Sequence, residues 1–303
     1  MELAPVDTSI IILTKNGGDN FPRLLERIYS QQYTGSYEVI VIDSGSTDGT
    51  LEATRKYPLK LIEIKPEEFH HGRTRNLGAD MAEGSYLVYI TQDALPLNND
   101  WLQKLTDNFL DARVAMVVGR QIPREDTKPP EKFTYFYDFP DFRLRIEPGA
   151  KDYYHNNNFV SDSNSAFRKD VLQRLRFSES IVMAEDKELA ARILAENYVI
   201  IYDPQAAVIH SHDFSLKEIF ERALDYGVSL RQGAGAIAGP GKSIMTKVFE
   251  VTGSKLRYLN EQRGWLYLPF MILYDFCFYL GFHLGKSGLL VGPMSRKTRT
   301  RHV

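Results

Sequence analysis

Three groups of acidic and histidine side chains in this 303-residue chain could take part in chemistry. Asp93 follows the apolar run YLVYI, Glu185 and Asp186 open a helical stretch, and His210 and His212 close another apolar run. Mg²⁺ and Mn²⁺ bind carboxylates, and Mn²⁺ also accepts imidazole. Asp93 with one of the two histidines would form a sparse, open metal site. Alternation along a strand puts both histidines on one side, so spacing does not separate them, and we favour His212.

Each of these residues also has a simpler interpretation. An Asp at a strand end is common in turns, and a histidine taken alone is more typical of a structural or solvated residue than of a ligand. The metal interpretation gains weight because all three groups lie at the ends of predicted elements.

Four strand-like runs, each followed by a helical pattern, occupy the first part of the chain. This alternation predicts an α/β fold with a parallel sheet and helices on both faces. Ligands bind at the carboxyl ends of the strands in such sheets, so the polar strand ends should converge on one crevice. The runs are SIIILT (9–14), YEVIVIDSG (37–45), KLIEIK (60–65) and YLVYITQD (86–93).

The pattern changes after VAMVVGRQI (114–122). Residues 123–158, which end in HNNN, predict a long loop with a short helix, and loops of this length are often lids or binding elements. The remaining segments predict a strand and helix, a helix, one or two strands, a helix and a flexible joint. In order they are FVSDSNSAFRKDVL (159–172), AEDKELAARILAEN (184–197), VIIYDPQAAVIHSH (199–212), SLKEIFERALDYGVSLRQ (215–232) and GAGAIAGPG (233–241).

Composition and motifs exclude several classes of protein. The net charge of -2 gives no basic field for nucleic acid, and the single Cys277 excludes an intramolecular disulfide and a cysteine zinc cage. No G-x-G-x-x-G or P-loop sequence follows the first strand. The first residues lack a basic stretch before the apolar run, so we expect no signal peptide and a cytoplasmic protein.

The segment WLYLPFMILYDFCFYLGFHL (265–284) is nearly long enough to span a bilayer, but Asp275 near its middle disfavours that. From residue 276 onward there are basic residues and no acidic ones. We expect residues 1–232 to form the main domain and residues 233–303 a helical extension that lies on the membrane. The alternative is a helical hairpin packed on the main domain.

Five motifs, taken in order, resemble the inverting glycosyltransferases of family 2, which have the GT-A fold. They are TKNG, IDSGSTDGT, TRNLGADMAEGSYLVYITQDALP, SDSNSAFRKDVL and MAEDKELAARI, and they cover about residues 7–230. HHGRTRN and TQDALP are most similar to the bacterial rhamnosyltransferase branch. The resemblance implies a Rossmann-like, mainly parallel sheet, a nucleotide-diphosphate sugar donor and a divalent metal, Mn²⁺ or Mg²⁺.

The resemblance also implies roles for single residues. Where the family has Asp-x-Asp, this chain has Thr91-Gln92-Asp93, so the first acid is missing and a ribose or metal contact is weakened. Asp93 would bind the metal with His212. The donor would contact Thr14, Asn16, Asp43, Arg75, Gln92 and Asp93.

Glu185-Asp186 matches the family's Glu-Asp pair, whose second member is the general base that takes a proton from the acceptor hydroxyl. Asp186 is therefore the predicted catalytic base, with Glu185 and Asp162 as acceptor-side candidates. The alternative for Asp186 is an acid that only stabilises a helix N-terminus.

The resulting hypothesis is transfer of a deoxysugar, L-rhamnose from dTDP-β-L-rhamnose, to a cell-surface glycan or lipid-linked acceptor. The enzyme would be peripheral on the cytoplasmic face of the membrane. Alternatives are another nucleotide-sugar donor, a non-catalytic carbohydrate-binding relative, and a nucleotidyltransferase, which we rank last because TKNGGDNF lacks an Arg.

Overall fold

The computed structural model describes residues 6–150, 158–232 and 244–289. The predicted joint at 233–241, most of the HNNN segment and the basic tail beyond residue 289 lie outside the described residues.

Within the described residues, nine strands form one sheet. The strands are β1 Thr8–Thr14, β2 Tyr37–Asp43, β3 Lys60–Glu63, β4 Tyr86–Ile90, β5 Leu95–Pro96, β6 Val114–Ile122, β7 Leu144–Ile146, β8 Asn164–Arg168 and β9 Val199–Ile209. Their order is β3-β2-β1-β4-β8-β6-β9-β5, and β7 also pairs with β9.

The first four strands are parallel, as predicted: β1 lies between β2 and β4, and β3 pairs with β2. The second half of the sheet is mixed, because β8 is antiparallel to both β4 and β6. β6 therefore ends at the same edge at which β8 begins. The segment between these strands leaves from and returns to the edge where the parallel strands end, but within it β7 pairs with the first part of β9, near the opposite edge.

Helices cover both faces of the sheet. In β1, Ile10 and Ile12 belong to a core with Leu24 of the first helix, whereas Ile11 faces a second core with Leu189. This alternation is expected for a strand that is buried on both faces. The helices are α1 Asn20–Tyr29, α2 Thr50–Thr54, α3 His71–Met81, α4 Trp101–Thr106, α5 Pro129–Asp138, α6 Lys169–Leu175, α7 Glu185–Ala195, α8 Leu216–Gln232, α9 Ile244–Glu261 and α10 Leu268–Ser287.

Glycines allow α10 to pack closely along α8. A Cβ placed at Gly281 would lie 3.2 Å from Cβ of Ala223, and one at Gly285 would lie 3.0 Å from the backbone nitrogen of Val228. At Gly227 on α8 the added atom would meet the backbone oxygen of Phe282. Any larger side chain at these positions would separate the two helices.

The other side of α10 is apolar and exposed. Ile272 and Phe276 are 62% and 61% exposed, and Leu273 and Leu280 lie on the same side. Within the described residues, Trp265–Ser287 is the one helical stretch long and apolar enough to cross a membrane by length and composition. The helix therefore packs on α8 through one face and leaves an apolar face uncovered, and its position on a membrane stays a prediction.

Candidate active site

The predicted convergence of polar strand ends on one crevice is observed in part. Gln92 and Asp93 line a cleft, whereas Thr14, Asn16 and Asp43 lie at the same edge of the sheet outside its lining. The cleft, of about 440 Å³, opens beside the ends of β1 and β4 and the start of β8. All three acidic and histidine groups identified in the sequence line it, together with Asp162 and two arginines. These lining residues are Asp93, Asp162, Glu185, Asp186, His210, His212, Arg75 and Arg222.

Asp93 lies between two imidazoles on one wall of the cleft. Its Oδ1 is 3.4 Å from Nε2 of His210, and its Oδ2 is 3.7 Å from Nδ1 of His212. One ligand atom from each of the three residues can be chosen so that all lie within 4.8 Å of one another. Both histidines thus approach Asp93, although His212 alone was favoured from the sequence.

The hydrogen bonding of His210 tests whether this cluster suits a cation. Nδ1 of His210 is 2.7 Å from the amide oxygen of Gln121, which can only accept, so Nδ1 carries the proton. Nε2 then carries a lone pair and no proton. This atom is buried without a hydrogen-bond partner and faces the carboxylate of Asp93, which can only accept. Two acceptors that face each other in a buried site fit a bound metal ion.

His212 is also set up as a neutral ligand. Burial lowers its pKa to about 4, and His210 adds to this effect. Burial acts to raise the pKa of Asp93, but a protonated His210 outweighs burial and holds that pKa well below its usual range; a cation bound in place of that proton would act in the same direction. A carboxylate beside two imidazoles matches the ligand set of Mn²⁺.

A second group of acids surrounds Arg75. Its guanidinium donates a hydrogen bond from Nη1 to Oε1 of Glu185, and its Nε lies 3.4 Å from Oδ2 of Asp162. The backbone nitrogen of Asp162 is 3.4 Å from Oδ2 of Asp186. Two carboxylates therefore contact the guanidinium and a third lies next to them, and we call Asp162, Glu185, Asp186 and Arg75 the acid cluster.

The acid cluster has an excess of negative charge, which changes its pKa values. Burial raises the pKa of Asp186, and the neighbouring Glu185 raises it further. The pKa of Asp162 rises to about 7, because burial and its acidic neighbours outweigh Arg75. Burial alone would lower the pKa of Arg75, but the three acids raise it well above its usual range. These are the conditions in which a carboxylate can take up a proton near neutral pH.

A left-handed residue aims the acids into the cleft. Ala184, which precedes α7, has φ 68° and ψ 29°, a conformation that costs a non-glycine residue about 1–2 kcal/mol. The preceding Met183 donates its backbone N–H to Oγ of Ser229 on α8 at 3.0 Å. This contact holds the turn, so that α7 begins with Glu185 and Asp186 at the cleft.

The predicted donor-contacting residues of the first half lie together at the strand ends. Oγ1 of Thr14 donates to Oε1 of Gln92 at 2.7 Å, and that oxygen also accepts from the backbone of Lys15 at 2.9 Å. Gln92 therefore ties the end of β1 to the end of β4. Thr91 takes the place of the first acid of Asp-x-Asp, and Gln92 is the middle residue, whose amide holds the loop after β1.

Asp43 and Asn16 organise the neighbouring turn. Oδ1 of Asp43 accepts from the backbone nitrogens of Gly45 and Ser46 at 2.9 and 2.8 Å. Asn16 has φ 50°, and its Oδ1 accepts from the backbone nitrogen of Thr47 at 2.8 Å. The carboxylate and the amide thus fix the loops after β1 and β2 at the same edge of the sheet as the cleft.

Two residues of the site, one of them behind the lining of the cleft, were not selected from the sequence. Gln121 on β6 orients His210, and Arg222 on α8 lines the cleft. Arg222 did carry a signal, because it lies between Ile219 and Ala223 on the buried face of an amphipathic helix. A charge at such a position needs a reason, whereas Gln121 is recognisable only once the strands are paired.

The fold is that of the GT-A glycosyltransferases. Over 94% of this chain, it resembles TarS of S. aureus in complex with UDP (91% of that chain, TM-score 0.56, 16% identity). Over 99% of this chain, it resembles the mannosyltransferase PcManGT of Pyrobaculum calidifontis in complex with GDP-Man and Mn²⁺ (81% of that chain, TM-score 0.56, 20% identity).

Residues 9–176 match glycosyl transferase family 2, and the chain belongs to that family. It is a glycosyltransferase whose relatives include two O-antigen chain rhamnosyltransferases. It is 31% identical to WbaN of Salmonella anatum, over 92% of this chain and 89% of the relative. It is 30% identical to RfbN of Salmonella typhimurium over the same shares.

Proposed function

We propose that this chain is an inverting rhamnosyltransferase that transfers L-rhamnose from dTDP-β-L-rhamnose to a cell-surface glycan or lipid-linked acceptor. The presence of the Asp93–His210–His212 cluster and the Asp186 carboxylate in one cleft carries the proposal of a transferase site. The similarity to two O-antigen chain rhamnosyltransferases over most of both chains supports the choice of sugar.

Asp93, His210 and His212 would hold a divalent ion, Mn²⁺ or Mg²⁺. When bound, this ion stabilises negative charge on the departing nucleoside diphosphate. The protein's part is to supply an ionised Asp93 and a His210 whose Nε2 is kept unprotonated by the hydrogen bond to Gln121. Because two of the three ligands are imidazoles, we favour Mn²⁺.

Asp186 is the proposed general base. A sugar hydroxyl of the acceptor gives its proton to the Asp186 carboxylate while its oxygen forms a bond to the anomeric carbon of rhamnose. The bond between that carbon and the diphosphate oxygen breaks, and the electron pair leaves with dTDP. Attack from the face opposite the leaving group inverts the anomeric centre, and Glu185 and Asp162 hold Asp186 and the acceptor.

The remaining residues would serve the two substrates and the membrane. Thr14, Asn16, Asp43 and Gln92 would position the nucleotide through the loops that they organise. Residues 1–232 would form the catalytic domain and residues 233–303 the extension. The exposed apolar side of α10 supports a peripheral position on the cytoplasmic face, next to a lipid-linked acceptor.

The decisive experiment is a donor panel with the purified full chain and Mn²⁺ or Mg²⁺. Release of nucleoside diphosphate should be fastest with dTDP-rhamnose and a lipid-linked glycan acceptor. NMR of the product should show an α-rhamnoside formed from the β-donor. Retention of the β-configuration would reject the inverting mechanism, and preference for another sugar would reject rhamnose alone. Nucleotide binding without any turnover would favour a non-catalytic relative.

A further inference from the structure

Arg222 is a cleft arginine whose charge has no close carboxylate partner in the described part of the chain. It projects from α8, is half-buried, and lines the same cleft as Asp93 and Asp186. Its guanidinium carbon lies 4.5 Å from the centre of the Phe214 ring. Within residues 6–150, 158–232 and 251–289, no carboxylate lies within ion-pair distance of it, and Glu131 and Asp225 act on its charge from farther away.

The other nearby arginines are committed. Arg75 is held between Glu185 and Asp162 in the acid cluster. Arg124 donates from Nη1 to the backbone oxygen of Ser211, and its Nε lies 3.6 Å from Asp126. Burial acts to lower the pKa of both arginines. It outweighs the more distant Glu131 and Asp225 at Arg222, whereas the acid cluster outweighs it at Arg75. Arg222 is thus the cleft-lining arginine that is available to a ligand.

The charge of the cleft makes this availability significant. Four carboxylates line it, from Asp93, Asp162, Glu185 and Asp186. A nucleoside diphosphate would bring further negative charge into the same space, and Arg75 already neutralises part of the acid cluster. An arginine that offers several N–H donors to phosphate oxygens without first breaking an ion pair is suited to this task.

Ring contacts place Arg222 on the metal side of the cleft. Phe214, beneath the guanidinium, stacks on His212 with ring centres 4.8 Å apart and planes 26° apart. His212 in turn approaches Asp93. The guanidinium, the phenyl ring and the imidazole therefore form one continuous stack that ends at the proposed metal ligands, where the diphosphate of a donor would lie.

We infer that Arg222, and not Arg75, binds the diphosphate of the nucleotide-sugar donor, while Arg75 is a positioning residue for the acids. This inference rests on the proposed function, but it depends on the diphosphate and not on which base or sugar the donor carries. It changes the role of Arg75, for which the resemblance implied a contact with the donor.

The test is the affinity of the full chain for dTDP and for dTMP, measured by calorimetry with Mn²⁺ and without acceptor. Arg222→Gln should weaken dTDP binding on the order of tenfold to a hundredfold and dTMP binding less. Arg222→Lys, which keeps the charge but loses the paired donors, should fall between. Lys217→Gln, at a 75% exposed position on the same helix, is the matched control and should bind as the wild type.

Thermal unfolding of each variant would show whether it is folded. If Arg222→Gln is unfolded, the dTDP affinity of Arg222→Lys tests the inference instead. Binding of dTDP by Arg222→Gln within twofold of wild type would overturn the inference and leave the proposed function standing. A higher KM for the acceptor with unchanged dTDP affinity would also overturn it, because the bound phosphate would then belong to the acceptor. If the wild type bound none of dTDP, UDP and GDP, the proposed function would fall as well.

Discussion

The two acidic walls of the cleft contain the same kind of side chain in opposite electrostatic states. Asp93 lies between His210 and His212, and its pKa is lowered despite burial. Asp186 is also shielded from solvent, but it lies beside Glu185, and its pKa is raised. A carboxylate therefore acquires its character here from its neighbours and not from its residue type or depth.

This difference suits two separate tasks. A metal ligand must stay ionised at every working pH, and a low pKa ensures that. A general base must exchange a proton with a hydroxyl group, and a raised pKa brings its proton affinity closer to that task. If the two environments were exchanged, neither carboxylate would suit its task. Substitutions in one wall should therefore affect one task and leave the other unchanged.

The largest effect is expected at the acid cluster. Asp186→Asn keeps the shape of the side chain but cannot accept the proton, so kcat should fall by about 10² to 10⁴. Affinity for Mn²⁺ and dTDP should stay unchanged, because the substitution leaves Asp93, His210 and His212 in place. Steady-state rates of dTDP release would be compared with those of Asp170→Asn, an exposed acid on α6. If Asp186→Asn kept more than a tenth of the wild-type kcat, Asp186 would not be the base.

The second effect concerns stability. Arg75→Met should leave Glu185 and Asp162 buried without a cation, which costs about 3–5 kcal/mol in the free energy of unfolding. Urea denaturation at pH 8, where Asp162 is ionised, would measure this loss. The control is Arg73→Met on the same helix, whose 58% exposed side chain pairs with Glu179. The exposed pair should contribute at most about 1 kcal/mol, and equal losses in the two variants would refute the acid cluster as a buried ion network.

The third effect is confined to the wall of the cleft that contains Asp93, His210 and His212. His210→Gln and His212→Gln should each weaken Mn²⁺ binding, followed by electron paramagnetic resonance, by at least about tenfold. Gln121→Leu should lower the affinity for Mn²⁺ by about 10- to 100-fold, because the His210 ring loses the hydrogen bond to Gln121 that orients it. His283→Gln, an exposed histidine on α10, serves as the control. A loss in only one of the first two variants would identify the single imidazole that binds the ion.

The smallest effect is a shift in pH dependence. Asp186 is inactive as a base when protonated, so kcat should fall as the pH drops through its raised pKa. Glu185→Gln removes a negative charge that raises this pKa, so the acid limb of the pH profile should move to lower pH. Initial rates over a pH series would show the shift. If the acid limb stayed in place or moved to higher pH, its midpoint would not report the pKa of Asp186.

Local patterns in the sequence predicted the first half of the fold. Strands β1 to β4 follow from their apolar runs and polar ends, and their parallel pairing was confirmed. The short strands β5 and β7 were missed, because two or three residues contain no periodic signal. The antiparallel insertion of β8 depends on pairing between distant segments, which no local pattern encodes.

The sequence predicted the members of the site better than their contacts. Asp93, Asp186 and the two histidines were selected because they lie at element ends, and the structure brings them to one cleft. The link between Arg75 and Glu185 joins residues 110 positions apart. The roles assigned to these residues stay predictions until the measurements above are made.

The close packing of α10 on α8 has a geometric consequence. Helix α8 carries Arg222 into the cleft, and its glycine contacts fix it to the helix whose apolar side is exposed. If that side rests in the membrane, the cleft stands at a set height above the lipid. The enzyme would then select acceptors by length. It would glycosylate those whose terminal sugar reaches that height and would not act on shorter or longer ones.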